Sequence, residues 1–332
     1  DSQKHLQIAH SIYFLSFAQY HRNELKVAKE TLVEVVRNPY DQHAWNFAHS
    51  SFALALIYQA QGQSDQAREV SRAVITYALD MNNTSVNNLA QAFRAELALR
   101  QGRISVASKW MKRFSVKPFT PAYRFYYPPL TVVETLLAQD TMASRRQAAD
   151  LLDQLHAFLT SIHNIRFQID VLALQGLLFD TLGDGPVARE KVAKALALAE
   201  PSSFIRHFVD LGPQMADLLK SLHSQNVAVD YIEKLLAAFG EQDEQVLVQD
   251  VSGAQAPLTL AVAPQSLKDP LTNRELDVLE LLAQRLNNKE IAAKLFLSPE
   301  TVKSHLKNLY GKLQVGNRRE AAEKAKALGI PV

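Results

Sequence analysis

An all-α fold is what this 332-residue chain predicts, with a long stack of helical repeats ahead of a small four-helix domain. Three observations carry that expectation. Glycine and proline are sparse before residue 240, and apolar residues recur at helical spacing, as in HAWNFAHSSFALALIYQAQG (43–62) and RFQIDVLALQGLLFDTLGD (166–184). Strand-like alternation is almost absent. Turn residues recur about every 40 residues, the period of stacked helix-turn-helix units.

Composition bounds the classes. The chain is 47% hydrophobic, 21% charged and 8% aromatic, a globular profile. It has no cysteine, which excludes a disulfide framework and a thiolate metal site and fits a reducing compartment. No apolar run is long enough for a bilayer, and DSQKHLQIAH is no signal peptide, so the expected location is cytoplasmic with no membrane partner. The first residue is Asp1 rather than Met, which points to a piece of a longer protein. The net charge of +2 is uneven: residues 270–332 hold eleven Lys and Arg against seven Asp and Glu.

In the repeat region (1–239), Gly62 is followed five residues later by Ala67, and Gly102–Ala107, Gly183–Ala188 and the weaker Asn23–Ala28 keep that spacing. A further turn is expected near Asp140. Glycine supplies a left-handed helix end, and the small alanine lets the next helix pack closely. The series Ala55, Tyr58, Gly62, Ala67, Val74 and Gly176, Phe179, Gly183, Ala188, Ala195 resemble the tetratricopeptide pattern. Ala98 stands where that pattern has an aromatic. Stacked repeats expose a concave surface suited to a small-molecule or protein effector, but a repeat must bury these small and aromatic residues to stack.

KPFTPAYRFYYPPL (117–130) interrupts the stack, because its four prolines have no place inside a helix. Its aromatics, with Tyr123, Tyr126 and Tyr127 as candidate ligand contacts, suit a sugar or other flat apolar ligand. They equally suit a plug in the stack or a face for a partner domain. From 240 to 269 the helical stripe is lost, Gly and Pro appear, and VLVQDV and LTLAV have strand-like runs; a linker is expected.

Residues 270–332 divide into four helices. Thr272 and Glu275 form a capping-box pattern for the first, whose stripe is Leu276, Leu279, Leu282 and Ala283. Asn287 or Asn288 starts a short second helix with Ile291, Ala292 and Leu295 inward. Ser298, Pro299 and Glu300 are the N-cap, first position and dipole partner of a third. The fourth runs from about Arg318 to Leu328. A short helix, a tight turn and a capped helix make a helix-turn-helix. On the third helix Val302, Leu306, Leu309, Tyr310 and Leu313 share one face. Lys303, Ser304, Lys307 and Asn308 lie opposite, where lysine can meet phosphate or guanine and Ser or Asn can meet base edges.

These residues resemble the LuxR-type helix-turn-helix domain of bacterial transcription regulators. Leu271-Thr272, Arg274-Glu275, Val278-Leu279, Asn288-Lys289-Glu290-Ile291-Ala292, Thr301-Val302-Lys303, His305-Leu306, Lys312-Leu313 and Val315 carry the likeness over nearly all of 270–330. Arg285 departs from it, since the family has a glycine there. The resemblance implies base reading by Lys303, Ser304 and Lys307 and phosphate contact by Thr301 and Lys289. Lys312 is expected at the DNA backbone or plain surface, and Arg318 and Arg319 are further DNA-contact candidates. His305 and Glu275 are expected to be structural, and the fourth helix to form a dimer contact on double-stranded DNA.

The stretch LLDQLHAFLTSIHNIRFQIDVLALQG… (151 onward) resembles the repeat region of MalT-like regulators, which carry an ATP-binding domain ahead of such repeats. This chain has no G-x-x-x-x-G-K-[ST], so ATP enters the expectation only through an upstream domain, and no other cofactor is expected. There is no H-E-x-x-H or G-x-S-x-G, His5 and His10 share no helix face, and His156 and His163 lie two turns apart, so neither catalytic nor metal-binding residues are expected. The expected function is a sequence-specific transcription regulator, an activator, with a helical sensor and RNA polymerase as a further partner. The alternative is a repeat scaffold that binds proteins and not DNA.

Overall fold

The computed structural model describes residues 2–37, 39, 42–114, 119–121, 124–249, 273–284, 286–295, 298–313 and 315–327. For 2–10, 241–249, 325–327 and five positions within 273–280 this covers the backbone alone. Among them every regular element is helical, and no helix is long and apolar enough to cross a membrane. By backbone contacts the chain divides into two units, residues 1–70 with 92–259 and residues 71–91 with 260–332.

Ten helices follow one another along the chain: α1 (Ser2–His21), α2 (Leu25–Arg37), α3 (Ala44–Ala60), α4 (Ser64–Asp80), α5 (Thr84–Arg100), α6 (Ile104–Met111), α7 (Pro128–Gln139), α8 (Met142–Ser161), α9 (Ile165–Thr181) and α10 (Gly185–Ala199); α1 packs with α2, α7 with α8, and α9 with α10. Their turns are chemically alike. At Gly62 (φ 74°) the N–H donates to Gln59 O at 3.1 Å, and the next N–H, of Gln63, donates to Tyr58 O at 2.8 Å. This double closure satisfies two carbonyls that a helix end leaves bare. It recurs at Asn23, Asn82, Gly102, His163 and Gly183, all at positive φ. The residue after the turn often caps the next helix: Asn83 Oδ1 accepts from Val86 N at 3.0 Å, and Asn164 Oδ1 from Phe167 N at 3.1 Å.

The expected turns at Asn23, Gly62, Gly102 and Gly183 are present, and Asp140 is left-handed with Thr141 and Ser144 forming a capping box behind it. Those at Asn82 and His163 join α4 to α5 and α8 to α9 and carry no glycine to announce them. Pro128 and Pro129 occupy the first turn of α7, where a missing N–H costs nothing. The expectation that all four prolines lie outside helices is corrected on this point.

Ala28, Ala67, Ala107 and Ala188, near the starts of α2, α4, α6 and α10, are fully buried. Helices α3 and α9 are buried on nearly every side, which explains their apolar run without a polar stripe. At Gly176 on α9 a Cβ would lie 2.4 Å from Val192 Cγ2 of α10 and 3.3 Å from Ala188 O. Glycine there sets how closely the two helices approach.

After α10 come a 3-10 turn (Glu200–Ser202), the single-turn α11 (Arg206–Val209), α12 (Pro213–His223) and α13 (Val229–Gln249). This stretch returns to the first pair. Ile205 N donates to His21 O at 2.6 Å, Arg22 Nε to Ser202 O at 3.2 Å, and Arg206 Nη1 to Asn23 Oδ1 at 3.3 Å. The Tyr20 hydroxyl donates to Asp210, and the His21 and His207 rings stack at 4.3 Å. Helix α13 continues past Gly240, where the linker was expected to begin. One glycine costs a helix only about 1 kcal/mol, and Glu241, Gln242, Glu244 and Gln245 favour it. The rest of the expected linker lies outside the described residues.

In the C-terminal part, α14 (Asn273–Ala283), α15 (Asn288–Leu295), α16 (Pro299–Leu313) and α17 (Arg318–Ala327) enclose a core of Val278, Leu279, Leu282, Ile291, Ala292, Val302, Leu306, Leu309, Leu313 and Ala321. The caps are side chains. Asn287 Oδ1 accepts from Lys289 N and Glu290 N while Glu290 returns to Asn287 N at 2.7 Å, a capping box. Ser298 Oγ accepts from Thr301 N at 3.0 Å, and Asn317 Oδ1 from Glu320 N at 3.0 Å. Thr272, the cap expected for α14, and Arg285 lie outside the described residues. Glu275 is 2% exposed, and Lys312 Nζ reaches its Oε2 at 2.9 Å, tying α14 to α16.

Three stability outcomes follow. Gly176→Ala is expected to cost about 1–3 kcal/mol in urea unfolding, because Val192 is β-branched and gives little ground. Lys312→Ala leaves a buried carboxylate without this counter-ion and is expected to cost about 3 kcal/mol. Lys303→Ala, losing only an exposed contact, is expected to change stability by under about 0.5 kcal/mol in the same assay.

Candidate nucleic-acid interface and repeat-region cavity

The third helix of the C-terminal part, α16, is seated by one face and free on the other. Val302, Leu306, Leu309 and Leu313 point into the core, whereas Thr301, Lys303, Ser304, Lys307 and Asn308 are all exposed. At 1.5 Å per residue its fifteen residues span about 22 Å, long enough to lie along a major groove. Lys303 and Lys307 sit one turn apart. Lys303 rests on Glu300 at 3.2 Å with both side chains largely exposed, a pair that solvent makes weak and a phosphate can displace. Among the described residues Lys307 has no such partner. Lys289 is exposed near the start of α15, and Lys294, which the sequence reading did not single out, is exposed near its end.

Two expected contacts are committed elsewhere. Lys312 was expected at the DNA backbone or plain surface; its ammonium meets the buried Glu275 carboxylate at 2.9 Å. Arg318 donates to Asn288 Oδ1 at 3.1 Å and to Leu286 O, bracing α17 against the turn before α15. Glu275, to which the resemblance assigned a structural role, is buried and ion-paired. Arg319 is exposed and lies beside Glu323 at 3.5 Å.

The repeat region holds an open cavity of about 620 Å3, its solvent-facing part included. Of the three candidate tyrosines, Tyr123 lies outside the described residues. Tyr126 and Tyr127 form wall of the cavity, with rings 7% and 1% exposed. Tyr126 packs edge-on against Phe52 and Phe93 at 5.7 and 5.3 Å, and Tyr127 lies 4.9 Å from Phe167. The Tyr127 hydroxyl donates to Phe119 O at 3.2 Å. The segment thus plugs the stack with its rings and lines the cavity with what remains.

The other lining groups are charged. A chain of hydrogen bonds runs from the Tyr126 hydroxyl to Thr131, from Thr131 to Glu96, and from Arg100 to Glu96 and to Asp210 O. Arg166 donates to Arg124 O and Phe125 O at 2.9 and 3.0 Å and lies 3.5 Å from the Phe167 ring centre; burial pulls its pKa down to about 10. Burial, then the neighbouring His207, hold His21 well below the usual histidine range. Burial raises Tyr126 well above its usual value. None of these charged residues was found by sequence reading. Their signal was weak: Glu96 with Arg100 and Arg206 with Asp210 are oppositely charged pairs one turn apart on otherwise apolar segments.

Comparison with known proteins agrees with both halves. Residues 2–225 match the MalT-like TPR region, and residues 269–325 match the family of bacterial regulatory proteins, luxR family. The chain is 27% identical over 245 residues to the HTH-type transcriptional regulator MalT of Serratia proteamaculans, covering 68% of this chain and 25% of that protein. It is 30% identical over 169 residues to that of Klebsiella pneumoniae (47% of this chain, 18% of the relative) and 31% over 153 residues to that of Yersinia pestis (42% and 16%). The chain therefore spans about a quarter or less of the length of these relatives. With two thirds of its residues in the MalT-like repeat region and a luxR-family domain behind it, the chain belongs to the MalT-like family of helix-turn-helix regulators.

Proposed function

We propose that this chain is the sensing and DNA-binding part of a sequence-specific transcription regulator. The observation that carries the reading is the exposed polar face of α16, where Thr301, Lys303, Ser304, Lys307 and Asn308 stand clear of a helix anchored by four buried apolar residues. That face has the dimensions and donors for a major groove. Lys303, Ser304, Lys307 and Asn308 read bases; Thr301 and Lys289 contact phosphates. The chain binds DNA as a homodimer, with α17 as the dimer contact, acts as an activator and meets RNA polymerase there. The named relatives support regulation of transcription.

The repeat region senses a small effector in its cavity, whose walls come from six separate helices and residues 125–127. A site shared by so many elements couples occupancy to how the repeats sit on one another. ATP, if used, enters through a domain upstream of these residues; none of the described residues offers a phosphate loop.

Binding of the full 332-residue chain to promoter DNA is expected to weaken steeply with salt, log affinity falling linearly with log salt concentration. Lys303→Ala and Lys307→Ala are each expected to weaken binding about tenfold or more with helical circular dichroism unchanged, and to lower the salt slope by about one where the contact is to phosphate. Binding that is salt-independent, or lost only together with helicity, overturns the reading in favour of a protein-binding scaffold.

A further inference from the structure

The cavity in the repeat region holds one carboxyl that none of its own cations pairs with. Its three guanidiniums, of Arg100, Arg166 and Arg206, are all engaged. Arg100 meets Glu96 at 2.7 Å and Asp210 at 3.6 Å, Arg206 meets Asp210, and Arg166 is taken up by two carbonyls and His21. Asp170 is met by His207 Nδ1. One carboxyl is left over: Glu134 of α7 lines the cavity and has no hydrogen bond or ion pair among the described residues. Counting carboxylates and guanidiniums in the lining, four face three.

A second observation points the same way. His207 is 5% exposed and lines the cavity. Its Nδ1 is engaged with Asp170 and its Nε2 has no partner. With the proton on Nδ1, Nε2 is an acceptor. A half-buried carboxylate without a donor is costly unless something supplies N–H groups, and the buried Nε2 adds an unmet acceptor behind the wall. Phe125, Tyr126 and Phe167 add aromatic wall around them, and aromatic faces beside a carboxylate suit an organic cation.

We propose that the cavity binds a small organic monocation, an ammonium carried on an apolar body, with its charge on Glu134. The inference rests on the reading of this cavity as the effector site. Neutral ligands of the same shape gain no ion pair with Glu134 and bind more weakly.

Proton linkage sharpens the claim. In the empty cavity burial, with Glu96 next and Asp170 and Asp210 behind it, raises Glu134 well above the usual carboxylate range, against the lowering effect of Arg100. From the remaining walls it is faced by Arg166, by His21 with Tyr20, and by His207 with Arg206. A bound ammonium favours the ionised carboxylate, so binding releases a proton while the pH lies between the bound and empty pKa values. Affinity then rises with pH, by up to about tenfold per unit, and levels off once the empty site is itself ionised.

The test uses the full chain with benzylammonium as probe and benzyl alcohol as its neutral match. Calorimetry in two buffers of different ionisation enthalpy is expected to show benzylammonium binding at least about tenfold tighter, with proton release on binding. Glu134→Gln is expected to abolish both the preference and the pH dependence. Equal binding of the two probes, absence of binding by benzylammonium, or binding without proton release in the unmodified protein overturns the proposal, whatever the variant does. DNA affinity measured in the same samples separates the two ideas. Glu134-dependent binding that leaves DNA affinity unchanged supports the cation site and overturns its role as effector site.

Discussion

A left-handed residue between two helices is the constraint on which the repeat region depends. At six of these turns one residue at positive φ lets two successive N–H groups fold back onto the helix just ended, and in several the next residue's side chain then caps the helix about to begin. A connection this short leaves the two helices no choice but to pack antiparallel and close. Ala28, Ala67, Ala107 and Ala188 are buried because of it, since anything larger five residues after the turn would wedge the pair apart. The buried faces of α3 and α9, and the cavity between helices, are downstream of that geometry.

In the C-terminal part, lysine takes different roles on a single helix, and burial alone decides between them. Lys312 neighbours a carboxylate that is almost wholly out of water, so its charge is spent on holding α14 to α16. Lys303 neighbours an exposed glutamate, and water competes for both. Lys307 has no acid within reach among the described residues. The same side-chain chemistry thus yields a brace, a loosely held cation and a free one.

What could be read from the sequence was whatever a single segment displays by itself. The turns at Gly62, Gly102 and Gly183 show because glycine marks positive φ, and the exposed face of α16 shows because five polar residues and four apolar ones alternate at helical period. The turns at Asn82 and His163 were missed, since neither residue type is diagnostic. The pairing of Lys312 with Glu275 was not legible because the two lie 37 residues apart on different helices. The cavity was invisible for the same reason: Glu96, Glu134, Asp170 and Asp210 belong to different elements with no fixed spacing. The tyrosines were legible as aromatic but not as half plug, half wall.

The return of residues 202–210 to residues 20–23 has a consequence for how the array behaves as a whole. A linear stack of repeats contacts only its neighbours, so its terminal units fray first and stability accumulates roughly unit by unit. Here the first pair, α1 with α2, is held by Asp210, His207 and Ile205 as well as by α3. Contacts spanning some 180 residues raise the contact order of an otherwise local fold, and closing them costs more chain entropy than forming the local turns between them. Once formed, they remove a free end, and melting at the first pair disturbs the segment after the last. A chain built from local pieces thereby gains the all-or-none character of a closed loop.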